Sequence, residues 1–112
     1  MSLNYFKNKL TTIPELLEPY TDDFNITHYE YIPTMSFLKI LEIIKIERKV
    51  ILGGMLCEKL KNRIDVEGSN WAYNENDSNA SYDKAIQFYE KIKNHIEINK
   101  QKNYYIELIV KE

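Results

Sequence analysis

From Thr34 the apolar positions follow a helical rhythm. Phe37, Leu38, Ile40, Leu41, Ile43 and Ile44 leave only Lys39, Glu42 and Lys45 as a narrow polar stripe. An apolar arc that wide predicts a largely buried helix, with Thr34 or Ser36 offered as its N-cap. The next stretch, "KVILGGMLC" from Lys49 to Cys57, is apolar at alternating positions of both sets, Val50, Leu52 and Leu56 against Ile51, Met55 and Cys57. A central strand covered on both faces accounts for this. In "NRIDVE", Ile64 and Val66 alternate with Arg63, Asp65 and Glu67, which predicts a half-buried strand paired antiparallel with the one before it.

Further on, Tyr82, Ala85, Ile86, Tyr89, Ile92 and Ile96 recur at spacings of three and four. They predict a second helix from about Asn79 to about Asn99, with Asp77, Ser78 or Ser81 as N-cap. The closing "NYYIELIVK" places Tyr104, Ile106, Leu108 and Val110 on one face and Tyr105, Glu107, Ile109 and Lys111 on the other, an interior strand. The first 33 residues are less regular. Pro14 and Pro19 in "TIPELLEPYTDDFN" permit a short helix and then a loop, and "ITHYEYI" alternates as an edge strand that Pro33 ends. The order of elements predicts an α+β class, a mostly antiparallel sheet packed against two main helices. At 112 residues the chain suits one domain, residues 1–112, because two cores would each be too small to bury much surface.

Charge narrows the partners. A net charge of −2 and a pI near 5.7 argue against a chain that neutralises phosphate along nucleic acid. No apolar run has signal-peptide length or approaches a bilayer span, so neither export nor a membrane is expected, and the chain is read as cytoplasmic. Cys57 is the sole cysteine and suits a reducing compartment. A Cys-His nucleophile is conceivable in space, but a cysteine closing an apolar strand reads as a small hydrophobe. His28 and His95 lack ligand-spaced partners, so no metal is expected. Gly53 and Gly54 belong to no phosphate-loop motif and are read as structural, marking a bulge or the close approach of another group.

The acids are unevenly distributed. From Ile64 to Asp83 there are five, Asp65, Glu67, Glu75, Asp77 and Asp83, with no Lys or Arg, so this tract carries −5 and the remainder +3. Within it "EGSNWAYNENDSNA" reads as a long loop, the kind that tends to carry function. Trp71 and Tyr73 occupy alternate positions in it, and such aromatics dominate binding hot spots. Glu67, Asn70, Trp71, Tyr73, Glu75 and Asp77 are therefore the candidate partner-binding residues. The competing reading of Trp71, that it folds back to plug the core, is equally consistent with its type.

Leu52-Gly53-Gly54 on a strand, Asn70-Trp71 with Tyr73, and Ala85 with Tyr89 ahead of "YYIELIV" resemble, in order and spacing, the immunity proteins of bacterial polymorphic toxin systems. The resemblance covers Val50 to Val110, and Met55 stands where family members often carry an acid. It implies a protein that binds a cognate toxin domain and blocks it, with no catalysis and no cofactor. The acidic tract adds the expectation that the toxin is a nuclease with a basic active site. Two other classes stay open. One is a small enzyme or ligand-binding domain with a pocket between the sheet and the second helix. The other is a self-assembling module using the "ITHYEYI" edge. Oligomeric state is left open.

Overall fold

The structure, a computed structural model, describes residues 19–60 and 64–112, without the side chains of residues 31 and 64–67. Strand β1 is Tyr20–Thr21 and β2 is Ile26–Pro33. A 3-10 turn, Thr34–Ser36, leads into helix α1, Phe37–Ile46. Strands β3, Val50–Lys59, and β4, Ile64–Ala72, are followed by helix α2, Ser78–Ile98, and strand β5, Tyr104–Lys111. Among the described residues, these five strands form one antiparallel sheet in the order β1-β2-β5-β3-β4. This is the α+β class that the hydrophobic pattern predicts. The short helix read around Pro14 lies outside the described residues.

One core joins both helices to one face of the sheet. β5 contributes Tyr104, Ile106, Leu108 and Val110, all buried, and α1 contributes Phe37, Ile40, Leu41, Ile43 and Ile44. Helix α2 turns Ser81, Ala85, Phe88 and Ile92 fully inward, while Tyr82, Ile86, Tyr89 and Ile96 pack at the margin. Apolar area taken from water is the main favourable term in such a fold. Tyr105, Glu107 and Ile109 of β5 and Met55 of β3 lie half-buried on the opposite sheet face.

Four details depart from the sequence reading. α1 has no side-chain cap: Ser36 occupies the N-cap position, but the 3-10 turn feeds the helix directly. Leu38, counted in the apolar arc, is exposed, as is Ile46. β2 is not the edge of the sheet, because Tyr20 pairs with His28 and Thr21 with Thr27 on its outer side. And β4 does not stop at Glu67; it continues to Ala72, so the expected long loop shrinks to residues 73–77.

The double glycine resets β3. Ile51 pairs with Val110 and Gly53 with Ile109, so Leu52 is an extra residue opposite the β5 ladder. That bulge shifts the alternation by one, as an inserted residue must. Ile51, Gly54 and Leu56 therefore share the helix-covered face, and not the Val50–Leu52–Leu56 set that strict alternation predicts. Gly53 sits at φ +150 within the bulge, a conformation open to glycine.

The start of α2 is sewn to the start of β3. Ser81 Oγ accepts from the Ile51 N–H at 3.0 Å, and the Ser78 hydroxyl donates to the Lys49 carbonyl at 2.9 Å. These bonds satisfy backbone groups at the start of β3 and just before it, beyond the end of its ladder with β4, where Ala72 pairs with Gly53. They fix where the acidic tract enters the helix.

Candidate partner-binding surface

The six candidate residues lie along β4, which with β1 is one of the two edge strands of the sheet among the described residues, and on the turn into α2. Their roles separate. Trp71 pairs with Gly54 and so points to the helix-covered face. Its indole lies 4.3 Å from the Phe88 ring and edge-on to Phe37 at 6.4 Å, while Phe37 stacks on Tyr89 at 5.7 Å. Trp71 thus closes an aromatic cluster between β4, α1 and α2, half-buried, with its outer margin still reachable. The folding-back that residue type allowed is realised.

Gly54 makes room for it. A Cβ at this position would come within 2.7 Å of the Trp71 ring and would also collide with the Glu107 carbonyl of β5. The glycine and the tryptophan are one device: the first leaves a floor onto which the second lies.

Tyr73 stands just past the strand, half-buried, and its N–H donates to the Leu52 carbonyl at 2.8 Å. Asn70 and Glu75 are exposed. Glu67 sits in a bulge of β4, since Glu67, Gly68 and Ser69 together oppose Leu56 alone between the pairs Met55–Asn70 and Cys57–Val66. Asp83, on the first turns of α2, is also exposed and extends the acidic surface.

Asp77 has structural work. Its carboxylate accepts from the Ala80 N–H at 3.1 Å, capping α2, and its own carbonyl accepts from Ser81. Carboxylates suit this end of a helix because of its free N–H groups and dipole. Asp77→Ala is expected to lower stability by about 1 kcal/mol, and Asp77→Asn by much less because the amide oxygen still caps. Chemical denaturation of the three proteins checks this; equal stabilities would remove the capping role.

The two histidines and the cysteine have structural surroundings. His28 has a partner six residues back: its Nε2 lies 2.9 Å from Asp22 Oδ2, under the stacked ring of Tyr20. Asp22 also accepts from the N–H groups of Phe24 and Ile26, so the pair secures the β1–β2 turn. The His28 hydrogen bond, foremost, holds the Asp22 carboxyl below its ordinary pKa. His95, on α2, meets the Tyr104 hydroxyl at 3.0 Å. Cys57 is buried, and burial pushes its thiol up to about 11, away from the thiolate a nucleophile needs. Among the described residues no group of three or more His, Cys, Asp and Glu is placed to hold a metal ion, and no helix is long and apolar enough to cross a membrane. An open groove of about 690 Å³ does lie between the end of α2 and the sheet, lined by Tyr89, Lys93, Ile96, Tyr104 and Tyr105 among others. It contains neither Cys57 nor a histidine.

No curated protein and no solved structure matches this chain. Residues 22–110 match a family described as Immunity protein 40, a span that begins at the Asp22 turn and runs from β2 into β5 as far as Val110. With most of its length matched, the chain belongs to the Immunity protein 40 family.

Proposed function

We propose that this chain neutralises a cognate toxin domain by binding it, and that it does so through the acidic surface formed by β4 and the start of α2. Membership of an immunity family supports the neutralising role. The choice of surface rests on one observation: the −5 tract, broken by no Lys or Arg, falls on an edge strand, the turn that follows it and the start of α2, where Asn70, Glu75, Asp77 and Asp83 are exposed. Glu67 and Glu75 supply charge, Asn70 supplies hydrogen bonds, and Trp71 and Tyr73 present their outer margins while anchoring the strand. A toxin whose active site binds nucleic acid is basic there, and an acidic lid over it both speeds encounter and blocks substrate. No catalytic step and no cofactor belong to this reading; the protein acts as a plug.

The capping role of Asp77 shapes the test, because reversing its charge would disturb α2 as well as the surface. The variant of choice is Glu67→Lys, Glu75→Lys, Asp83→Lys. Its association with the purified toxin domain is expected to slow by about tenfold or more at low ionic strength, with a flatter salt dependence and an unchanged melting curve. An unchanged rate and salt slope would move the interface elsewhere.

A further inference from the structure

We infer that the toxin contributes a β-strand that adds to the outer edge of β4 at Asn70–Ala72, with basic side chains beside it; this rests on the neutralising role proposed above. The backbone itself sets the polarity of that edge. Tyr73 N–H donates to Leu52 O, so the Tyr73–Leu52 pair is a hydrogen-bonded one. Antiparallel pairs alternate, which makes Trp71–Gly54 hydrogen-bonded as well and leaves Asn70–Met55 and Ala72–Gly53 as the pairs whose N–H and C=O groups point outward. Asn70 and Ala72 are exposed, and among the described residues no strand lies outside β4. The edge therefore offers two donors and two acceptors in strand register, the grip used when an extended segment extends a sheet.

Charge selects the occupant. A second copy of this chain would set one −5 tract against another across the new ladder, since Asp65 and Glu67 precede the edge and Glu75 and Asp77 follow it. Like charges opposed on neighbouring strands are unfavourable. The bulge at Glu67–Ser69, with Gly68 at φ +90, also interrupts the flat edge on its N-terminal side, a device that discourages indiscriminate pairing. What remains is a short edge, framed by acids, that suits a strand carrying Lys or Arg. That strand would lie beside Trp71 on one face and beside Asn70 and Ala72 on the other, covering the part of the indole the core leaves exposed.

Amide hydrogen exchange of the full chain, alone and bound to the purified toxin domain, tests this. Strand addition is expected to slow exchange of the Asn70 and Ala72 amides at least about tenfold on binding, while the Trp71 amide, already bonded to β3, changes little. Ala72→Pro removes an outward donor without touching the β3 ladder, as edge positions tolerate. It is expected to weaken binding about tenfold with a melting temperature close to that of the parent. Tight binding with Asn70 and Ala72 exchange unchanged would overturn strand addition and leave the neutralising role intact. Absence of any binding would overturn both.

Discussion

Gly54→Ala is expected to be among the most damaging single-methyl additions this protein can suffer, at about 3 kcal/mol, the upper end of the cost of overpacking a core. Two obstacles meet at that Cβ. The Trp71 ring, 2.7 Å away, is a side chain and can shift, but the Glu107 carbonyl belongs to the β5 backbone and is held in the sheet. Relief therefore requires β3 and β5 to separate at the middle of the sheet, where neither strand has slack. For a domain of this size the loss corresponds to a fall in melting temperature on the order of 10 °C or more. Urea denaturation of Gly54→Ala, alone and combined with Trp71→Ala, separates the two obstacles. Removing the indole should give back only part of the loss, because the carbonyl remains. A loss below about 1 kcal/mol for the single variant would mean that neither the Glu107 carbonyl nor the indole crowds Gly54.

In the proposed binding mode, the same geometry ties recognition to the core. Trp71 holds the last residues of β4 against the helices, and those residues carry the outward-facing backbone groups of Asn70 and Ala72. The Tyr73–Leu52 hydrogen bond and the Ser78 and Ser81 bonds to β3 then fix both ends of the turn that bears Glu75 and Asp77. An interface built on such supports is presented with little freedom to lose on binding, which favours affinity. The acids can face outward on a rigid rim because the aromatic half of the same segment faces inward.

Much of this was legible in the residue pattern, and what escaped it has physical causes. β5 and the two helices announce themselves because their apolar residues keep a strict period of two or 3.6 and each element has one buried face. The end of β4 gives no such signal. Gly68, Ser69 and Asn70 are polar or small because one edge and one face of the strand meet solvent and a bulge interrupts the ladder, so the segment reads as loop until Trp71 is seen to seat on Gly54. Alternation along β3 misplaces Ile51 relative to Leu56 because the bulge at Leu52 flips parity, and only pairing partners reveal a flip. The double glycine did signal that something unusual happens there; which of bulge and close approach it serves could not be separated, and it serves both, Gly53 the first and Gly54 the second. His28 looked solitary since its partner, Asp22, lies across a turn and not along a helix. The acidic tract was visible as charge alone, while its division into a helix cap at Asp77 and exposed charges at Glu75 and Asp83 needed the start of α2 to be placed.

Trp71→Ala is expected to cost about 3 kcal/mol, the low end of the range for deleting a large aromatic from a core, because the ring is half-buried. The loss comes from the contacts with Phe88 and Phe37 and from the void left above Gly54, which no neighbouring backbone can fill without bending the sheet. Trp71→Phe should behave quite differently. The indole N–H is buried and finds no acceptor among the described residues. Leaving such a donor unpaired carries a cost of about 1–3 kcal/mol, so a phenyl ring loses area but also removes that penalty. The net change for Trp71→Phe is therefore expected within about 1 kcal/mol of the parent, by the balance of these two effects. Denaturation curves for the two variants decide the structural half of the question; a phenylalanine variant as unstable as the alanine one would show that the N–H has a partner after all. Binding decides the other half. Measured well below the melting temperature, an affinity for the toxin domain that survives in Trp71→Phe assigns the residue to support of the β4 edge, whereas a loss of tenfold or more in a fully folded Trp71→Phe would make the indole margin itself part of the contact.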